Sequence, residues 1–228
     1  ALGAACAAIG APPGGPVRTT PPVVILVTPD SGAVNVDVDN VVFTFDAVVN
    51  DRPSGPRDME SAFLVSPSEG RPRVRWRRDR IEVRPREGFR DSTAYSVTML
   101  PGIADLRGNV QRTPRTIVFS TGPTIPPFAI HGRMFDWMNE RPAANGFLEA
   151  TRLPDSLRYV AVTDSSGQFR FGPLTEGQYV VRGFMDANAN RERDAQESWD
   201  SVVVTVRATS PFVEVLAAPR DTIGPRLL

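Results

Sequence analysis

The 228-residue sequence has no lysine, one cysteine, one histidine and no apolar run that could cross a bilayer as a helix. Each shortage excludes something. The lone thiol, Cys6, cannot close an intramolecular disulfide, and no second cysteine is present for a metal or redox pair. The single histidine, His131, has no cysteine or carboxylate at ligand spacing and reads as structural. Arginine carries every basic charge, a bias a GC-rich genome explains. The 26 basic and 26 acidic residues cancel, so overall charge advertises neither nucleic acid nor an anionic membrane. No stretch reaches the roughly 18 apolar residues of a spanning helix. A G-x-S-x-G elbow, an HExxH pair and a phosphate-cradling glycine loop are all missing, so the expectation is a protein that is not an enzyme, with no catalytic residues. The chain starts on Ala1 rather than methionine, which sets the expectation that an upstream segment was removed.

Proline is what the chain has in excess: its 22 residues fall between hydrophobic runs rather than inside helical patterns. Residues 1–22 are small residues, glycine and proline, and read as an extended tether. From Val23 the pattern changes to VVILVT (23–28), VVFTF (41–45), AFLVS (62–66), RVRW (73–76), RIEVR (80–84), AYSVTML (94–100) and TIVFS (116–120). Several alternate with period two, the mark of strands with one buried face. STGPTIPP (120–127) interrupts as a joint. A second set follows: FAIHGRMF (128–135), GFLEATR (146–152), RYVAVT (158–163), QFRFG (168–172), QYVVRGF (178–184), SVVVTV (201–206) and FVEVL (212–216). No window makes an amphipathic helix of more than two turns. The expectation is an all-β chain: two tandem antiparallel β-sandwich (Ig-like) domains over 23–122 and 128–217, behind the tether and ahead of an extended tail at 218–228.

Particular residues carry resemblances. Pro29 and Gly32 leading to Val36, then VFTF, IEVRP (81–85), TAYSV (93–97), ADLRGN (104–109) and VFSTG (118–122) make residues 22–122 resemble the bacterial Ig-like domain of S-layer-type surface proteins. Within it Asp105 and Gly108-Asn109 fit a tight turn in which aspartate caps backbone amides. TDSSGQFRFGPLTEGQYVVRGFMD (163–186) makes residues 128–217 resemble a carboxypeptidase-regulatory, or transthyretin-like, sandwich. Both resemblances imply modules that space, present or dock other parts. Leu2, Gly3, Ala4 and Ala5 before Cys6, followed by the tether, resemble the start of a bacterial lipoprotein. That resemblance implies acylation of Cys6 and export to the periplasm or cell surface, held on a membrane by lipid. An unmodified thiol in the tail is the other reading.

DANANRERDAQE (186–197) has the spacing of a calcium loop. Calcium takes six to eight oxygens, and a twelve-residue loop supplies them from positions 1, 3, 5, 7, 9 and 12. Those positions hold Asp186, Asn188, Asn190, the Glu192 carbonyl, Asp194 and Glu197. Against this, position six is Arg191 instead of glycine and Arg193 adds a second positive charge, so a polar loop whose carboxylates pair with these arginines stands beside it. No cofactor is required, and calcium is the one candidate.

Two surfaces suit a partner. Residues 71–90 hold nine arginines against three acidic residues. Alternation puts Arg73, Arg75 and Arg77 on one strand face, expected to be solvated, over a buried Trp76. Single-stranded nucleic acid or lipid headgroups would suit such a strand, but docking of an acidic protein is the functional version preferred. Phe135, Trp137 and Met138, beside a proline turn, form the second: either core or an exposed patch of interface composition. The resulting expectation is an exported, non-catalytic lipoprotein serving as a structural or accessory subunit on a membrane-bound complex of transport, secretion, respiration or photosynthesis, with protein partners and no nucleic acid. The alternatives are a surface module that binds glycan or calcium, and a non-catalytic fragment of a secreted enzyme.

Overall fold

The computed structural model describes residues 18–219. Cys6, most of the 1–22 tether and residues 220–228 of the tail therefore lie outside the described residues.

The first seven strands are β1 (Val24–Thr28), β2 (Val41–Phe45), β3 (Phe63–Ser66), β4 (Arg73–Arg77), β5 (Arg80–Arg84), β6 (Ala94–Met99) and β7 (Arg115–Ser120). They form a four-stranded sheet, β1-β2-β5-β4, and a three-stranded sheet, β3-β6-β7. The period-two pattern decides what goes inside. Val41, Phe43 and Phe45 of β2 and Ile81 and Val83 of β5 are buried, whereas Arg80, Glu82 and Arg84 face out. With Phe63, Val65, Tyr95, Val97, Met99 and Phe119 from the other sheet they make one continuous core. Each such side chain contributes about 1.5–3 kcal/mol on burial. Residues 32–36 run along β7, where the Gly32 and Val36 amides donate to the Val118 and Ser120 carbonyls at 2.7 and 3.1 Å and cover that edge.

The second set is β8 (Phe128–Asp136), β9 (Arg141–Pro142), β10 (Phe147–Leu153), β11 (Arg158–Val162), β12 (Gln168–Leu174), β13 (Gly177–Phe184), β14 (Trp199–Val206) and β15 (Phe212–Ala217). Its sheets are β11-β10-β13-β14 and β12-β8-β15, around a second core that includes Ile130, Met134, Phe171, Tyr179 and Val215. One pairing departs from the antiparallel expectation: β15 lies parallel to β8. It follows β14, which belongs to the opposite sheet, and so crosses over instead of folding back as a hairpin. Gly132 on β8 sits where a Cβ would come within 2.3 Å of both the Val213 carbonyl oxygen and the Phe169 ring.

The chain is all-β, two β-sandwiches in tandem, and the one 3-10 turn among the described residues is at Glu60–Ala62. The two cores are joined by a third cluster. Leu64 projects from the outer face of β3 against Phe147, Val160 and Phe184 from β10, β11 and β13, with Leu100, Val162 and Trp199 around them. This is why all four residues of β3 are buried: Phe63 and Val65 face their own core, and Leu64 and Ser66 face the neighbouring sandwich. The Ser66 hydroxyl accepts the Val160 amide at 3.1 Å, and the Ser68 amide donates to the Arg158 carbonyl at 2.7 Å.

Candidate functional site

The loop between β13 and β14 is wound by its own side chains. Asp186 accepts the Asn190 amide at 3.1 Å and the Arg191 amide at 2.9 Å. Asn188 and Asn190 accept the amides two residues on, and both donate their carboxamide N–H to Asp194, at 2.6 and 3.3 Å. Glu197, nearly buried, reaches back to accept the Ala187 and Asp194 amides at 2.9 and 3.0 Å. Asp186, Asn188, Asn190, Asp194 and Glu197 are thus brought into one cluster. The Glu192 amide donates to the Asn190 side-chain oxygen at 2.8 Å, and its own carboxylate makes no ion pair among the described residues. Among the described residues, no group of three or more histidine, cysteine, aspartate and glutamate side chains converges to hold a metal ion.

Arg191 does something the sequence did not suggest. It adopts φ +63, the left-handed conformation that position six of such a loop demands and glycine usually supplies. Its side chain leaves the loop and crosses to the first sandwich. There Nη1 donates to the Phe63 carbonyl at 2.9 Å and Nη2 to the Ser61 carbonyl, with the guanidinium 6.0 Å from the Phe147 ring centroid. Burial, helped by the neighbouring Arg71 charge, pulls its pKa down to about 10, with Asp186 and Asp58 opposing. Arg193 lies over the Trp199 ring at 4.8 Å. Neither arginine makes an ion pair with the loop carboxylates of the kind the polar-loop reading supposed; one latches the sandwiches and the other stacks on an aromatic.

The receiving side is equally built. Asp58 takes the Ser61 amide and hydroxyl at 2.8 Å each, and the Arg71 guanidinium at 2.5 and 2.6 Å. Burial raises its pKa, but Arg71 and Ser61 outweigh that and hold it at about 2. Arg57 reaches the Asn188 carbonyl at 3.5 Å. Beside this latch a crevice of about 1040 Å³ opens between the sandwiches, lined by Leu64, Leu100 and Phe147 together with Thr98, Arg112 and Arg170.

On the first sandwich β4 is an edge strand, with Arg73, Arg75 and Arg77 on the outer face. The β4–β5 register puts them opposite Arg84, Glu82 and Arg80. Glu82 pairs with Arg77 at 2.8 Å and with Arg75 at 3.9 Å. Arg73, Arg80 and Arg84 make no ion pair among the described residues. Arg80 and Arg84 were missed as members of this face, although the hairpin spacing RVRWR-RD-RIEVR held the signal. Trp76 corrects an expectation: it is 39% exposed, not buried, because it sits on the edge strand, and its indole N–H donates to the Val49 carbonyl at 3.0 Å.

On the second sandwich Trp137 and Met138 are 59% and 62% exposed, in the turn after β8, and Phe135 is half-buried on the outer face of that strand. The register adds two residues the sequence did not flag. Leu216 lies opposite Phe135, and Phe212, 65% exposed, lies opposite His131. Their apolar side chains alternate with buried ones along β15, a pattern that period two reveals only once the buried face is known. Burial and the nearby Arg170 lower the pKa of His131.

The described residues thus form an all-β unit of two docked sandwiches with charged and aromatic outer faces. In the family comparison, residues 18–121 match the bacterial Ig-like domain. No curated protein matches the chain. Among solved structures, 5-hydroxyisourate hydrolase of Klebsiella pneumoniae is 20% identical over 41% of this chain and 92% of its own, with a TM-score of 0.31. BcpA, the major pilin subunit of Bacillus cereus, is 9% identical over 82% of this chain and 67% of its own, with a TM-score of 0.29. The N-terminal part of the bacterial S-layer protein SbsC is 14% identical over 82% and 44%, with a TM-score of 0.31.

Proposed function

We propose that this chain is an exported, non-catalytic accessory subunit, tethered to a membrane through acylated Cys6 and docked by its outer faces on a membrane-bound protein assembly. The observation that carries the reading is where the chemistry sits. Arg191, Ser66 and Ser68 bond across the interface and hold the sandwiches together. The exposed arginines of β4 and β5 and the exposed apolar residues Trp137, Met138, Phe212 and Leu216 lie outside. Such a body spaces and presents two surfaces, in keeping with the bacterial Ig-like match of residues 18–121 and with the transthyretin-like pattern of residues 163–186. The small residues before Cys6 support the anchor.

Two measurements on natively produced protein test it. Mass spectrometry of the N-terminus is expected to find diacylglyceryl-modified Cys6 as the first residue. Mild detergent extraction is expected to bring the chain out with other membrane proteins. An unmodified N-terminus together with a free monomer in the extract would end the proposal.

A second reading, a surface module that binds glycan or calcium, is favoured by two observations. The face of β8 and β15 carries Phe135 and Phe212 with Trp137 beside it. The loop gathers Asp186, Asn188, Asn190, Asp194 and Glu197. Retention on a polysaccharide column, or a calcium-dependent melting shift, is its test.

A further inference from the structure

We infer that the free edge of β4 accepts an extended acidic segment of a protein partner, added as a fifth strand to the β1-β2-β5-β4 sheet. This rests on the accessory-subunit reading and names the mode of docking.

The argument begins with hydrogen-bond parity. Arg77 and Arg80 close the two-residue turn at Arg78–Asp79, where Arg78 has φ +59. Residues that close such a turn exchange both of their backbone bonds, and the pairs alternate from there. Arg75 and Glu82 are therefore a bonded pair, as are Arg73 and Arg84. The N–H and C=O groups of Val74 and Trp76 then point away from β5, toward the free side. No described backbone group is bonded to them there. The edge thus offers two consecutive sets of pairing groups, one repeat apart, in the spacing a strand requires.

Charge selects the occupant. The outer face of β4 and β5 presents Arg73, Arg75, Arg77, Arg80 and Arg84 against the single carboxylate of Glu82. A second copy of this chain, brought edge to edge, would set these arginines against their own kind, so the face opposes self-pairing. A strand with acidic residues at every second position places a carboxylate beside each of Arg73, Arg75 and Arg77. Each opposite-charge cross-strand pair contributes roughly 0.2–1 kcal/mol. Its intervening residues fall beside Val74 and Trp76 on the other face, where the half-exposed indole gives an apolar side chain a surface to cover. The ligand class is therefore an extended peptide that alternates Glu or Asp with β-branched or aromatic residues.

The test uses the full chain and two synthetic peptides, acetyl-Thr-Glu-Val-Glu-Ile-Glu-Thr-amide and the same peptide N-methylated at Val and Ile. Methylation removes the N–H groups that would bond to Val74 and Trp76 and leaves every carboxylate in place. The first peptide is expected to bind and to slow amide exchange at Val74 and Trp76 at least about tenfold; the methylated one is expected to bind at least about tenfold more weakly. Replacing Arg73, Arg75 and Arg77 together by Gln is expected to abolish binding, and by Glu to shift preference to an Arg-containing peptide; both leave the core untouched. Equal affinity for the two peptides, or binding to anionic phosphatidylglycerol vesicles and to neither peptide, would overturn the inference. Co-purification from membranes separates the two levels. A triple-Gln variant that still co-purifies like wild type overturns strand addition and leaves the accessory reading standing, whereas wild type that never co-purifies sinks that reading whatever the peptides do.

Discussion

Replacing Arg191 by alanine should loosen one sandwich from the other, and the size of the effect can be worked from the two ends of the latch. Truncation leaves the Ser61 and Phe63 carbonyls without the guanidinium, both on buried residues. Each orphaned acceptor costs about 1–3 kcal/mol. Against that, the drop in the Arg191 pKa from 12.5 to about 10 means that the site disfavours the charge by on the order of 3 kcal/mol, a burden alanine does not carry. The net expectation is a loss of about 1 kcal/mol and at most about 3, below the roughly 3–5 kcal/mol of a broken buried ion pair because the partners left behind are neutral carbonyls. Glycine at the same position makes the same bonds vanish but relieves φ +63, so Arg191→Gly should be about 1 kcal/mol less damaging than Arg191→Ala. Urea unfolding followed by fluorescence reads this well, since Trp76 reports on the first sandwich and Trp137 and Trp199 on the second. Wild type is expected to lose both signals together, and Arg191→Ala to separate them into two transitions. An alanine variant within about 0.5 kcal/mol of wild type, with the signals still coincident, would refute the latch.

Other consequences are as direct. Phe147→Ala empties the centre of the interlobe cluster and should cost about 3–5 kcal/mol by calorimetry, with the second core melting almost unchanged. Gly132→Ala forces a Cβ onto the Val213 carbonyl and the Phe169 ring, and should lower stability by about 1–3 kcal/mol in a thermal melt. Asp58, held at about 2, contributes stability that is fully present above its unfolded pKa of 3.8 and is lost as pH falls toward 2. Asp58→Asn should flatten that part of the acid titration, and an unchanged acid limb would count against the Asp58–Arg71 contact. Calcium at about 5 mM should leave the melting midpoint in place if the loop is a strap; a site of about 0.5 mM affinity would add about 1.4 kcal/mol and return the calcium reading.

How much of this could be read in the residues depends on whether the information was local. Strand after strand followed from alternation: VVFTF and RIEVR bury the residues their period assigns. The Asp105 turn was equally legible, because an aspartate that accepts the Arg107 and Asn109 amides at 2.9 Å, ahead of a glycine at φ +83, is a contact within five residues. Contacts between distant segments were not. Arg191 looked like a fault in a calcium loop, since nothing nearby in sequence identifies the carbonyls of Ser61 and Phe63 as its partners. Trp76 looked like core because tryptophan on the inward phase of a strand usually is; that β4 is an edge is a property of sheet order. The unbroken apolar run of β3 did carry a signal for burial on both faces, but not the identity of what covers Leu64. The parallel β8–β15 pair depends on a crossover between sheets, which no window of sequence encodes.

Amide hydrogen exchange at two positions tests the central claim, that the sandwiches are locked into one body. The Val160 amide, bound to the Ser66 hydroxyl, and the Ser68 amide, bound to the Arg158 carbonyl, have their partners only across the interface. Protection at both close to that of the core amides of β2 and β10 is the predicted result. Exchange at the rate of an exposed loop, while the two cores remain protected, would contradict it.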